Sequence, residues 1–161
     1  MTKKNNLKRS IFAALILAGA LTLGSCSKDD NNSTKQAAYV LSGTADGTQM
    51  VPTAVAGTGT GTISGTYDPN TGQLNYTVTW TGLTGTPIFG SIYTGANGDA
   101  GATFGNPFSF DVNVSSTGTT TGSYALTGED ATKLIGGRFY YSFGTAANPD
   151  GEIRGQIKAT R

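Results

Sequence analysis

The chain has 161 residues, with 11 Lys+Arg against 10 Asp+Glu, no histidine and one cysteine. Without histidine there is no imidazole to ligate metal, act as a base, or activate a serine or cysteine nucleophile. The charge balance lacks the basic footprint that nucleic-acid binding needs, and a single cysteine excludes an intramolecular disulfide.

At the start of the chain, Lys3, Lys4, Lys8 and Arg9 precede an apolar run from Ile11 to Leu23 with no acid among them. This is the pattern of a signal peptide, and the run is too short for the roughly 20 apolar residues a spanning helix needs. Leu23-Gly24-Ser25-Cys26 resembles a bacterial lipobox, which implies cleavage after residue 25 and lipid on Cys26, with that lipid as the membrane contact. Residues 1–25 are thus the expected leader. Ser27-Lys28-Asp29-Asp30 is similar to the lysine-plus-acids signal that sends Bacteroidota lipoproteins to the surface of the outer membrane. Lys28, Asp29 and Asp30 are therefore candidate export residues, and their alternative reading is a solvated tether over residues 26–37. Removing the leader's four basic residues leaves seven Lys+Arg against ten Asp+Glu in the rest of the chain.

Residues 38–161 suit one domain with one core. They are rich in Gly and Thr and carry turn signals at Asp68-Pro69-Asn70-Thr71-Gly72, Ala96-Asn97-Gly98-Asp99 and Asn148-Pro149-Asp150-Gly151. Threonine favours the pleated surface of strands, and short strands between regular turns predict an all-β sandwich or barrel. Strands are expected at Ala38–Gly43, Gly57–Tyr67, Gln73–Thr81, Pro87–Tyr93, Phe108–Val114, Thr119–Leu126, Arg138–Phe143 and Glu152–Ala159. Gln73–Thr81 is the clearest, because Leu74, Tyr76, Val78 and Trp80 alternate with polar residues, and Phe108–Val114 repeats that alternation. A short helix is expected at Gly128–Ile135, capped by Thr127 with Asp130 at the capping-box position and ended by Gly136-Gly137.

Trp80 shares its face with three apolar neighbours and is assigned to the core. Tyr140 falls on the opposite face from Phe139, Tyr141 and Phe143, which makes it the better candidate for an exposed, ligand-stacking ring. Glu152 and Arg154 are read as facing one side of the last strand, with Gln156 and Lys158 continuing that face. Either this is a partner-binding edge, or Arg154 pairs with a carboxylate across the hairpin; the second is favoured. Asp68 to Gly72 offers oxygens at alternate positions, as calcium loops do, but lacks the distal glutamate and is explained as a hairpin turn. Carboxylates such as Asp111, Glu129, Asp150 and Glu152 leave a glycosidase formally open, though a small domain offers little room for a cleft.

Thr145 to Ile157, above all Gly151-Glu152-Ile153-Arg154-Gly155-Gln156, resembles the closing signature of the CHRD domain, the chordin-type repeat also found in bacterial exported proteins. Leu41-Ser42-Gly43, Val51-Pro52, the Leu74 to Leu83 stretch and Thr127 to Gly137 support the resemblance. It implies an immunoglobulin-like, Cu/Zn-superoxide-dismutase-like antiparallel β-sandwich of about eight strands with one short helical crossover. It also implies an extracellular interaction role toward an unknown protein or glycan. Relatives usually carry histidines where Ser91, Tyr93 and Gly144 stand here, so any metal chemistry they support is not expected in this chain. No metal or other cofactor is expected, and Tyr93, reaching toward Ser142, joins Tyr140 as a candidate binding surface. A non-catalytic binding or structural role is the expectation. Its competitors are a metal-dependent enzyme of dismutase-like ancestry and a passive envelope coat.

Overall fold

The computed structural model describes residues 35–161. The expected leader, Cys26, Lys28, Asp29, Asp30 and nearly all of the expected tether lie outside the described residues. Eight strands form in chain order: β1 (Tyr39–Asp46), β2 (Thr60–Asp68), β3 (Gln73–Thr81), β4 (Pro87–Thr94), β5 (Thr103–Phe104), β6 (Gly118–Ala125), β7 (Phe139–Thr145) and β8 (Ile153–Thr160). The helix α1 spans Gly128–Ile135. Every pairing is antiparallel, in one continuous sheet of order β5-β4-β7-β8-β1-β2-β3-β6.

The sheet curls until its halves face each other. Trp80 on β3 and Phe143 on β7 lie four strands apart in sheet order, about 19 Å if the sheet were flat. Their ring centroids are 5.0 Å apart. Even the two edge strands meet, with Phe104 of β5 edge-on to Tyr124 of β6 at 5.3 Å. Rings, with no β5–β6 ladder, close this seam. The core inside holds Leu41, Ile63, Leu74, Val78, Trp80, Ile92, Tyr141, Phe143, Ile153 and Ile157. It is an all-β, sandwich-like fold with one short helix, as expected.

Phe108–Val114 corrects the sequence reading, since it forms no strand. Phe108 and Phe110 do point inward, against Tyr76, Trp80 and Phe143. The segment plugs the opening between the sheet edges, touching β4 through Phe108 N–H to Gly90 O (2.8 Å) and β6 through Thr120 Oγ1 to Ser109 O (2.9 Å). A turn on Asp111, whose carboxylate accepts from Asn113 N–H, then throws Val112 outward to 96% exposure.

The helix forms where its capping pattern places it. Thr127 Oγ1 accepts from Asp130 N–H, Glu129 bonds Lys133 one turn on at 2.8 Å, and Ala131 and Leu134 are buried. No helix among the described residues is long and apolar enough to cross a membrane.

Candidate functional site

The signature segment begins in a tight turn, where Thr145 and Asn148 exchange backbone hydrogen bonds and Gly151 N–H reaches Asn148 O (3.1 Å). Gly151 has φ +131°, a conformation that strains any residue with a Cβ. The chain re-enters the ladder through Glu152 N–H to Phe143 O at 2.7 Å. The Glu152 side chain, in a residue only 1% exposed, accepts from Thr84 N–H (2.7 Å), Thr84 Oγ1 (2.6 Å), Thr145 Oγ1 (2.5 Å) and Asn148 Nδ2 (3.3 Å). Burial pushes its carboxyl pKa up, but the hydrogen bonds from Thr145 and Thr84 outweigh that and hold it below the usual value. Glu152 thus clasps the turn after β3 to the hairpin between β7 and β8.

Arg154 does not share this arrangement, so the expected polar ladder with Glu152 is corrected. It is 2% exposed and lies against the outer side of β7, with its guanidinium 3.7 Å from the Tyr140 ring centroid. Nη2 donates to Ala96 O (3.0 Å), while Nη1 has no partner. The expected cross-strand carboxylate is also corrected: among the described residues both ion pairs belong to Lys133. Asp46 stands opposite Arg154 on β1, but its carboxylate accepts from Thr48 and Gln49. Burial lowers the guanidinium pKa, opposed by Tyr140 and Asp99. Gln156, two residues on, ties Gly95 O (2.9 Å) and Gly137 O (2.7 Å) together through Nε2, and its Oε1 is buried without a partner. Gly155 between them is required by close approach, because a Cβ there would press on Thr44 O and the Tyr141 ring.

The structure brings together Ser91, Tyr93 and Gly144, the positions at which the resemblance implies histidines in relatives. Phe89 lies opposite Gly144, Ser91 opposite Ser142 and Tyr93 opposite Tyr140, so Ser91, Tyr93 and Gly144 share the outer face of β4 and β7. A Cβ on Gly144 would collide with the Phe89 ring, which covers that position. Tyr93 stacks on Tyr140 with centroids 5.1 Å apart and planes 10° from parallel. It does not bond Ser142, whose Oγ donates to Ile153 O (2.8 Å).

Tyr140 does lie on the opposite face from Phe139 and Tyr141, but it is not an exposed ring, at 6%. The segment after β4 folds over it, with Gly101 N–H donating to its hydroxyl (3.1 Å) and Gly95 packed close to its edge. Period two identifies a face; it carries no signal for a loop that comes back to cover it. A cavity of about 150 Å³ remains here, lined by Met50, Phe89, Tyr93, Tyr140, Ser142 and Arg154, with exposed Asp150 also at its wall.

A second surface was not singled out by the sequence reading. On the outer face of β1, β2, β3 and β6 the register aligns Thr44, Thr62, Thr79 and Thr119 in one row across the strands. Ser42, Ser64, Thr77 and Thr121 make the next row. Thr60 and Thr81 continue the array, and Thr81 Oγ1 lies 3.1 Å from Thr117 Oγ1. All but half-buried Thr77 are exposed, and Thr44, Thr60, Thr62, Thr79 and Thr81 line a depression of about 270 Å³. The signal was present as hydroxyl residues at alternate positions of neighbouring strands; strand register was needed to see them as rows.

The fold and its closing clasp define a small all-β module whose buried polar groups are largely spent on its own loops. Residues 41–157 match the CHRD domain family, and the chain belongs to it. No curated protein and no solved structure shows significant similarity to the chain.

Proposed function

We propose that this protein is a lipid-anchored, non-catalytic binding module displayed on the outer face of the cell envelope, and that it binds a neutral glycan across the hydroxyl face of β1, β2, β3 and β6. The observation that carries the reading is the alignment of exposed Ser and Thr side chains into rows. Each hydroxyl both donates and accepts, and each threonine adds a methyl group, which suits a polymer presenting alternating hydroxyl and C–H surface. Asp46, opposite Thr60, is at the wall of the depression with its carboxylate engaged by Thr48 and Gln49, and Lys158, opposite Ser42, stands at the margin of the rows. Glu152, the fully buried carboxylate, is engaged by Thr84, Thr145 and Asn148, which argues for a structural duty and against acid–base work.

The lipid follows from Leu23-Gly24-Ser25-Cys26 and surface display from Lys28-Asp29-Asp30. Two or more acyl chains, each contributing about 0.8 kcal/mol per buried CH₂, hold such a domain firmly on a bilayer. The test is a glycan array read with wild type and with a Thr62→Lys, Thr79→Lys double variant, beside fatty-acid labelling of wild type and Cys26→Ala. Binding to neutral glycans that the double variant loses, and label that Cys26→Ala loses, are the expected results. Glycan signal identical in wild type and variant would remove the hydroxyl face as the site, and an unlabelled wild type would remove the anchor.

A further inference from the structure

The two edges of the sheet are built differently. β5 is only two residues long, too short to template another strand. β6 has eight residues, Gly118-Thr119-Thr120-Thr121-Gly122-Ser123-Tyr124-Ala125, paired with β3 from end to end without a register shift. Sheet edges are ordinarily protected by a charged side chain, a proline, a bulge or a covering segment. β6 has no charge, no proline and no bulge. The plug beside it is bonded through Thr120 Oγ1 to Ser109 O and Tyr124 Oη to Asn106 O, both from side chains, and leaves the backbone edge unpaired. Leu126 N–H donates to Gly72 O (2.8 Å), the next step of the β3–β6 ladder. Alternate residues of an antiparallel strand bond one neighbour, so Thr120, Gly122 and Tyr124 bond β3, while Thr119, Thr121, Ser123 and Ala125 turn N–H and C=O to the open edge. These four residues are exposed, and among the described residues nothing pairs with that edge.

We infer that β6 pairs with β6 of a second copy of this chain, antiparallel about a two-fold axis at Thr121. In that register Thr121 meets Thr121 of the second copy and Thr119 meets Ser123, each pair exchanging both backbone bonds. A two-fold axis sets an edge against itself, so any charge near the axis would meet its like. An uncharged edge has no such barrier, and Thr–Thr and Thr–Ser neighbours across strands are favourable. The pairing also carries both rows of hydroxyls on into the second copy, widening the face from the four strands β1, β2, β3 and β6 to twice that number. Tyr39 is level with Tyr124, three residues from the axis, which sets the two Tyr39 positions about 20 Å apart along the strand direction. Residues 26–37 reach up to about 40 Å at full extension, so two anchored copies can pair on one membrane. The pairing goes beyond the glycan reading and rests on neither the glycan nor the lipid.

The experiment is analytical ultracentrifugation of the mature chain carrying Cys26→Ala, which has no acyl chain to draw copies together, at up to about 1 mM. A monomer–dimer equilibrium that goes no further is expected. Thr121→Lys and Thr121→Glu should each weaken it by about fivefold through like charges at the axis, and an equimolar mixture of the two should associate about tenfold more tightly than either alone. Thr121 is exposed and its N–H is unused within the chain, so the melting temperature of each variant should match that of the parent. Thr66→Lys, on the same outer face but on β2, should leave the dimer intact. A monomer throughout, a dimer indifferent to Thr121→Lys, a mixture no tighter than its components, or an equal loss with Thr66→Lys would overturn the inference.

Discussion

Glu152→Ala should be among the most destabilising single changes on the outside of the core. The wild-type carboxylate receives four hydrogen bonds, three of them at 2.7 Å or less, from Thr84, Thr145 and Asn148. Bonds to a charged acceptor are worth roughly 1.5–3 kcal/mol each, but they share one site and are not additive. Truncation also takes the charged acceptor from the fully buried Thr145 hydroxyl and leaves it Thr84 Oγ1 at 3.0 Å alone, so the loss is about 3–5 kcal/mol. For the roughly 130 residues of the folded part, that is about 10–20 °C in Tm. Glu152→Gln keeps the volume and the Thr84 N–H bond, and costs about 1–2 kcal/mol. The pH dependence separates charge from shape. The folded-state pKa of Glu152 lies below its usual value of 4.5. Its contribution is therefore full above that value and is lost as pH falls through the depressed folded pKa. Urea denaturation of wild type and both variants from neutral pH down into the acid range is the assay. The wild-type advantage over Glu152→Gln should shrink as the solution is acidified below about pH 4.5. A Glu152→Ala cost under about 1 kcal/mol, or a Glu152→Gln difference that does not change with pH, would refute the clasp.

Thr127→Ala removes the cap of α1 and should cost about 1 kcal/mol in the same assay, with Thr127→Ser, which keeps both the acceptor for Asp130 N–H and the donor to the Asp130 carboxylate, close to neutral. Tyr124→Ala opens the seam between the sheet edges, where Tyr124 stacks on Tyr76, meets Phe104 edge-on and donates to Asn106 O (2.7 Å). It should cost about 2–4 kcal/mol and raise binding of a hydrophobic dye, whereas Tyr124→Phe should cost only about 1 kcal/mol.

Much of the fold was legible because side-chain alternation and capping are local. Leu74, Tyr76, Val78 and Trp80 are all buried on one face of β3, and α1 starts at Thr127 as its capping pattern dictates. The exceptions have physical causes. Alternation reports that side chains point the same way and is silent about what lies beside the backbone, so Phe108 and Phe110 looked like a strand while serving as a plug. The two-residue β5 is too short to show any period at all. The closing signature was recognisable as a motif, but its internal division was not. Glu152 turns to loops that are distant in sequence, and Arg154 finds an aromatic ring where a carboxylate was expected.

The position of β1 has a mechanical consequence. It sits mid-sheet between β2 and β8, and Arg161 at the end of the chain folds back over Tyr39 and bonds Gln36. Tension applied to the chain ahead of Tyr39 runs along the axis of β1, across the direction of its hydrogen bonds to both neighbours. The two ladders are then loaded in shear, many bonds at once, and cannot be peeled apart one at a time. A pull on the N-terminal side therefore meets the strongest orientation that a sheet offers.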